Sequence, residues 1–449
     1  MRKFSRASRL LAVVSALALV GTVSACSTGG TSKPTSADDG QPLEVWTRST
    51  ADAAKTYDKL FADFTEKTGI KVNYQAVQEF DTQLAARASE KDLPDVLIND
   101  AASLGNYVSQ GFLLPIDQSS IAGQADISQS TWDENKGLDN TIYGVPFSRQ
   151  TNVLIVRKDW REKLGLAQPK TWDDLTAMAT AFATQDPDGD GQADTYGMVV
   201  PGTAKSAYIA RWGVPYIWQA GGDIIASDGD GKYKSVIDSP ETAEAMKFIR
   251  TQFCTPGNVV PGSLNLTTGD SPFFAEGTAG IYLTGPYNIP NFDAAVGKDN
   301  VEVVPMPAGP ESTTTFAEGE NIYFGASSTK AAQQKALAEY LISPDAQELA
   351  MDVQPAGSTT VSQPVVRLSV NKNVDVAKVL GDPRWQVVAD SYDDDAKTFT
   401  WSINYNPIRQ ALADGMNAMM SDCNSDIPAG LASIDSAITA ELKNQDLVK

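Results

Sequence analysis

"LEVWTRSTADAAKTYDKLFADFTEKTGIKVNYQAVQEFDTQLAARASEKDLPDVLIND", from Leu43 to Asp100, carries the information that sets the fold. Leu43 to Thr47 is strand-like, and Tyr57, Leu60, Phe61 and Phe64 then fall at i, i+3, i+4 and i+7, the spacing of one apolar helix face. "KTGIKV" supplies a basic last turn with Gly69 as the stop. Lys71 to Val77 alternates, with Val72, Tyr74 and Ala76 sharing one face. A second helix follows, Pro94 breaks it, and a third strand runs through Ile98. Strand, helix, strand, helix, strand at this short spacing predicts a mostly parallel sheet covered by helices, an α/β architecture.

Further along, the pattern changes. "TIYGVPFSRQTNVLIVRKDW" reads as two extended segments joined at Phe147 to Thr151, a crossing from one lobe to the next. Thr171 caps a helix with Asp174 three residues on, and Leu175, Met178, Ala179 and Phe182 form its apolar stripe. Ser239 and Pro240 open another helix, with Met246, Ile249 and Phe253 at helical spacing and Cys254 at its end. "STKAAQQKALAEYLISPDAQ" predicts a helix with Leu337, Tyr340 and Leu341 inward, broken at Ser343-Pro344 and followed by a short second helix.

The chain starts with an export signal: Arg2, Lys3, Arg6 and Arg9 precede the apolar run Leu10 to Val20, which is too short to span a bilayer. Ser27 to Gln41 has no residue able to anchor a core and reads as a flexible tether. About 400 residues remain, more than one hydrophobic core usually serves, so two lobes are expected. The formal net charge is −20, and losing four basic residues with the leader takes it to −24. Such a surface repels nucleic acid and anionic lipid. The absence of histidine removes Ser-His-Asp and Cys-His nucleophile systems and the usual zinc sites, and leaves carboxylate chemistry such as glycoside hydrolysis. Besides Cys26 there are only Cys254 and Cys423, which outside the cytoplasm read either as a disulfide or as two unconnected thiols.

Several segments together resemble the extracellular solute-binding proteins of carbohydrate ABC importers, the maltose-binding-like group. The stretch from Leu43 to Val77 is similar to that group's first strand, helix and second strand. "LPDVLINDAASLGNYVSQGFLLPID" matches its "PDV" strand and the turn that follows, and "IYGVPFSRQTNVLIVRKDW" its crossing into the second lobe. "PKTWDDLTAMATAF", "FFAEGTAGIYLTGPYNIPNF" and "GASSTKAAQQKALAEYLISPDAQ" complete the order. Val23-Ser24-Ala25-Cys26 resembles a bacterial lipobox, in which Cys26 would be acylated; a cleaved signal with an incidental cysteine is the other reading.

The resemblance implies a two-lobe periplasmic-binding-protein-like fold of type II, with a ligand cleft between lobes joined by hinge strands. The boundaries it suggests are a lipoprotein signal peptide at 1–25, a tether at 26–41, an N-terminal lobe of 42–148 and 308–354, and a C-terminal lobe of 149–307 and 355–449. The expected function is capture of a sugar or oligosaccharide by hinge closure and delivery to the permease subunits of an ABC importer. No bond would change, and the chain would work as a monomer outside the cytoplasm, held to the membrane only by its N-terminal lipid. The implied cleft residues are Arg48 with Ser49, Asn99, Asp100, Gln150, Trp212, Tyr287, Glu320 with Glu318, Trp401 and Tyr405, the last ahead of a helix carrying Arg409; Tyr216 and Trp218 read as core. Flat aromatic faces suit the C–H side of a sugar ring and planar polar groups suit its hydroxyls. Two other functions compete, a secreted carboxylate-dependent glycosidase and a calcium-dependent surface adhesin.

The adhesin reading draws on the acidity, the lipid anchor and the stretch "DPDGDGQAD". Asp186, Asp188 and Asp190 hold the first, third and fifth places of a calcium-type loop, Gln192 can offer its carbonyl, and Asp194 takes the ninth. The twelfth place, a bidentate glutamate in an EF-hand, is Gly197, and "TYGMVV" after it is strand-like. A structural calcium staple is therefore expected in place of a sensor; a metal-free polar turn is the alternative.

Overall fold

Thr50 starts the first helix by accepting a hydrogen bond from the Ala53 amide on its side chain, and Gly69 ends it at φ 76, a left-handed position that glycine adopts without strain. Between them α1 (Ala51–Thr68) buries Tyr57, Leu60, Phe61 and Phe64, the stripe expected from their spacing. In this computed structural model the described residues are 40–269, 272–352 and 363–449. The leader, Cys26, nearly all of the tether and the boundary at 354/355 lie outside them.

β1 (Leu43–Thr47), β2 (Val72–Ala76) and β3 (Val96–Asp100) pair in parallel with β1 at the centre, and α2 (Phe80–Ser89) makes the second crossover. The chain then passes through β4 (Gly144–Thr151) directly into β5 (Val153–Arg157). β4 belongs to a large sheet and β5 to a smaller one that also holds β6 (Tyr196–Val199), so a single residue, Asn152, separates the two sheets on the outward path. A hairpin of β7 (Ile225–Gly229) and β8 (Lys232–Ser235) stands apart. β9 (Ala279–Thr284) and β10 (Val301–Val304) complete the smaller sheet, in the order β10-β5-β9-β6.

The return path is β11 (Thr315–Phe324), which lies antiparallel between β3 and β4 in the large sheet. β12 (Leu368–Ser369) and β13 (Ala396–Lys397) add to β4 and β11. The expected boundaries put Leu368–Ser369 in the C-terminal lobe, whereas this strand pairs with the large sheet. The helices expected after Thr171, Ser239 and Ser343 are present as Trp172–Thr184, Pro240–Cys254 and Pro344–Ala350, the first with a full capping box. Cys254 is bonded to Cys423, tying the end of its helix to the turn after the helix Asn406–Met420. With the two cysteines separated by 169 positions in the sequence, closing that loop is worth about 5 kcal/mol on chain-entropy grounds. Among the described residues no helix is long and apolar enough to cross a membrane.

The two crossing strands are locked by Arg149. Its guanidinium is buried, with Nε donating to Glu134 at 3.0 Å, Nη1 donating to the Ser148 carbonyl at 3.0 Å and to Asn321 Oδ1 at 3.2 Å, and its plane 5.5 Å from the Trp401 ring. Gly319 lies opposite Arg149 in the ladder and leaves room for it: a Cβ there would stand 2.6 Å from Nη1 and 2.8 Å from Cδ. Gly319→Ala should therefore destabilise the protein by about 1–3 kcal/mol through overpacking; an unchanged urea midpoint would show that the strands can spread.

Another arginine, the part-buried Arg384, binds Asp382 and Asp293 together, joining its helix to the segment before β10. Burial alone would raise the Asp382 carboxyl, but Arg384 and then Lys298 outweigh it and hold the pKa down to about 2. A carboxyl depressed on folding stabilises above its unfolded pKa near ~3.9 and loses that contribution as pH falls toward about 2. The stability gap between the wild-type protein and Asp382→Asn should thus narrow by about 2 kcal/mol between pH 5 and strongly acid solution; a pH-independent gap in denaturant titrations would contradict this.

Candidate ligand-binding cleft

Strand periodicity decides which side chains reach the space between the sheets. Successive residues on a strand face opposite sides. On the crossing strands Glu318 pairs with Gln150 and Glu320 with Ser148, and β11 also sets Glu320 beside Asp100 of β3. These five side chains line one cleft, while Arg149 projects to the opposite face. The register shifts between Glu320 and Asn321, so Phe147 is left unpaired as a bulge.

The cleft encloses about 530 Å³ and takes walls from both sheets. From the larger sheet come Arg48 and Ser49, just past the end of β1, and Asp100 at the end of β3. Ligand sites in open α/β sheets gather at these carboxyl ends. From the smaller sheet come Thr284 at the end of β9, Tyr287 after it, and Tyr208, Arg211 and Trp212 of the helix Tyr208–Gln219. That helix is preceded by Ser206 and Ala207 at φ 54 and 56, a costly left-handed conformation for both. A larger hollow of about 650 Å³ lies where Arg149 projects, but its lining spans only 128–149 and 368–398 and includes no strand of the smaller sheet, so it does not lie between the two sheets.

Charge in the cleft is organised in pairs. Arg48 donates to Asp100 at 2.7 Å, and Arg211 lies 3.7 Å from Asp100 and 3.5 Å from Glu318. Arg367, which follows Val365 in from the start of the last described segment, donates to Glu320 Oε1 at 2.6 Å, and the Tyr57 hydroxyl donates to Glu320 Oε2 at 3.0 Å. Burial would raise the Asp100 carboxyl, but Arg48, Arg211 and Arg409 overcome it and hold the group below the usual carboxylate range. Burial and the Glu320 charge push the Tyr57 hydroxyl well above its ordinary value. Aromatic surface comes mainly from Tyr287, whose ring lies 5.9 Å from the Arg367 guanidinium and folds back over Gly285, where any Cβ would meet it at 2.3 Å.

Of the residues expected from sequence, Arg48, Asp100, Gln150, Trp212, Tyr287 and Glu320 meet at this cleft, with Ser49 and Glu318. Trp212 offers little face, being 3% exposed and packed 5.1 Å from Tyr216. Asn99, Trp401 and Tyr405 do not line it. Asn99 points the other way along β3 and donates to the Tyr107 hydroxyl. Trp401 lies under Arg149 behind the crossing strands, and Tyr405 is stacked on Phe399 in the core. Tyr216 and Trp218 are buried, as expected. The cleft also draws in Tyr57, Tyr208, Arg211 and Arg367, which the sequence reading did not single out. Arg211 was the most findable, since it directly precedes Trp212 in "YIARWG".

Away from the cleft, Asp186, Asp188 and Asp190 bring carboxylate oxygens within 4.8 Å of one another. The Asp186 carboxylate accepts from the Gly189 and Gly191 amides, and Asp190 from the Gln192 amide and side chain. Burial, a hydrogen bond with Asp186 and the charges of Asp190 and Asp186 raise the Asp188 carboxyl. Hard oxygen donors gathered this way fit a calcium ion. Gln192 is engaged with Asp190 in this arrangement, and Asp194 is not part of the group.

The sequence matches the model of the bacterial extracellular solute-binding protein family over residues 48–348. It is 26% identical to the fructooligosaccharide ABC transporter substrate-binding protein FusA of Streptococcus pneumoniae, over 60% of this chain and 53% of that protein. It is 28% identical to the polygalacturonan/rhamnogalacturonan-binding protein YtcQ of Bacillus subtilis, over 40% of this chain and 36% of that one. The chain thus spans about half or less of the length of these relatives. Among solved structures, maltose-bound MalE3 of T. maritima superposes with a TM-score of 0.75 at 21% identity, over 90% of this chain and 99% of that one. The fold is that of the type II periplasmic binding proteins, two sheets joined by crossing strands around a cleft, and the chain belongs to the bacterial extracellular solute-binding protein family.

Proposed function

We propose that this protein captures a sugar or oligosaccharide in the cleft outside the cytoplasm and presents it to the permease subunits of an ABC importer. The observation that carries the reading is the composition of the cleft: fixed pairs of guanidinium and carboxylate groups beside a tyrosine face, contributed by both sheets. Planar charged pairs give and take several hydrogen bonds in defined directions, which is what a ring of hydroxyls needs on leaving water. Because the walls belong to different sheets, a ligand touching both favours the approach of one to the other, and binding shifts the population toward a closed form. Asn152 on the outward path and the stretch between β10 and β11 on the return path are where that rotation would be absorbed.

Relatives described as binding fructooligosaccharide and polygalacturonan support a carbohydrate cargo. The glycosidase alternative needs a carboxylic acid protonated near neutral pH. Asp100 is held in the opposite direction, and both Glu320 oxygens are occupied by Tyr57 and Arg367. Acylation of Cys26 would hold the protein at the membrane through the tether.

A thermal-shift screen against neutral mono- and oligosaccharides, polyols and sugar acids tests the reading. A ligand at one hundred times its Kd should stabilise by about 2.7 kcal/mol. Turnover of an oligosaccharide at a catalytic rate, or a flat response across the whole panel, would overturn it.

We further propose that the aspartate loop binds calcium as a structural staple between the helix Trp172–Thr184 and β6. Chelation should lower the melting temperature and leave sugar affinity nearly unchanged. Loss of sugar binding on chelation, at a temperature where the fold persists, would tie the ion to the cleft instead.

A further inference from the structure

Among the described residues, the ion pairs of the cleft are of two kinds. Arg48 with Asp100 and Arg367 with Glu320 join groups carried by the same sheet: Arg48 follows β1, Asp100 ends β3, and Arg367, just before β12, donates its amide to Ser148 Oγ of β4. These pairs stay together however the cleft opens. Arg211 differs. Its helix, Tyr208–Gln219, is fixed on the side of the smaller sheet, where Tyr216 packs 5.8 Å from Trp172 and 5.2 Å from Phe248. Those two rings belong to the helix that leads into β6 and to the helix whose following residues pair with β6 at Val259. Yet the Arg211 guanidinium lies 3.7 Å from Asp100 and 3.5 Å from Glu318, both of the large sheet. Among the described residues these are the only ion pairs of the cleft that join its two sides.

The contact is made without a hydrogen bond. Arg48 and Arg367 donate to their carboxylates at 2.7 and 2.6 Å, whereas Arg211 stands just beyond such a bond with either of its own. A hydrogen bond is lost once donor and acceptor part beyond about 3.5 Å, but Coulomb attraction falls only as the inverse of distance. The pull of Arg211 therefore persists as the sheets separate, and nothing directional has to break for them to do so. All three side chains are partly covered, at 18% exposed for Arg211, 20% for Asp100 and 23% for Glu318, so salt screens them less than surface charges. At the other end of the helix the Trp218 ring lies 6.3 Å from Phe316 near the start of β11, which sets Arg211 about 10 Å along the helix axis from the crossing strands. The Arg367 guanidinium, 5.9 Å from the Tyr287 ring, spans the same gap.

We propose that Arg211 is a latch across the cleft: its attraction for Asp100 and Glu318 draws the two sheets together with no cargo bound and sets how much of the ligand-free population is closed. The inference rests on the hinge closure in the sugar-capture reading and adds its regulation. All three groups belong to the chain, so the pull acts before cargo arrives. Cargo then finds a larger fraction of the protein already in the binding-competent form, and its apparent affinity rises in proportion.

Small-angle X-ray scattering of the purified protein with no sugar present tests the latch. Arg211→Met and Glu318→Gln should each shift the protein to a larger radius of gyration, the ratio of closed to open forms falling about 2- to 30-fold, the range for losing one or two partly exposed ion pairs. The double variant should open little further than Arg211→Met alone. Arg48→Met takes a charge from the same cleft, but from a pair within one side, and should not enlarge the protein. Melting followed by circular dichroism separates opening from unfolding: the opened variants should keep a cooperative transition, and if Arg211→Met fails to fold, Glu318→Gln decides. Equal radii for the wild-type protein and the folded variants would overturn the proposal, as would an enlargement in Arg48→Met that matches theirs. Either result would leave sugar capture standing, because no cargo enters the measurement.

Discussion

The period of two along β4 and β11 is the constraint on which the site depends. These strands carry the chain between the sheets, so their side chains must do opposite jobs on opposite faces. On one face Ser148, Gln150, Glu318 and Glu320 are held open toward the cleft. On the other, Arg149 crosses Gly319 and ties β4 to Glu134, Asn321 and Trp401. A slip of one residue would exchange the two sets, putting the bolt in the cleft and the ligand-facing acids in the core. The bulge beside Glu320 allows this register to coexist with Pro146, which has no N–H to give to the ladder.

Much of the fold was legible because its periodicities are strong. Tyr57, Leu60, Phe61 and Phe64 could only be a helix face, and Thr171 with Asp174 could only be a cap. The cleft was legible in part. Arg48 and Asp100 follow from one rule, that loops at the carboxyl ends of parallel strands face the site. Asn99 shows the limit of that rule: adjacent to Asp100, it lies one residue out of phase and turns to Tyr107. Trp401 and Tyr405 show another. A sequence rich in aromatics says that rings are clustered, but whether a ring covers a ligand or the back of a hinge depends on which sheet face it reaches, and that is a tertiary outcome. Arg367 and Glu320 are 47 residues apart and Tyr57 and Glu320 are 263 apart, so no local pattern could have announced that network.

Electrostatically the protein is two things at once. Its formal net charge is −20, while the space between the sheets holds Arg48, Arg211 and Arg367. Lys59, Lys67 and Lys335 sit in half-exposed pairs with modest energetic value, whereas Arg211 and Arg367 are placed where water is scarcer and each pairing matters more. Fixed guanidinium and carboxylate groups that already satisfy one another need little reorganisation when a ligand arrives, which spares the ordering cost that flexible side chains would add to binding.

The bond between Cys254 and Cys423 has a topological consequence. The stretch it encloses leaves through β9 and β10, joins the large sheet as β11, contributes β12 there, and comes back to the helix before Cys423. The covalent ring is therefore threaded through both sheets. A single proteolytic cut anywhere between the two cysteines would leave one connected molecule, with neither sheet free to drift away from its partner. If the protein works outside the cytoplasm by closing around a ligand, as proposed, a nick in an exposed turn of that ring becomes an event the architecture can survive.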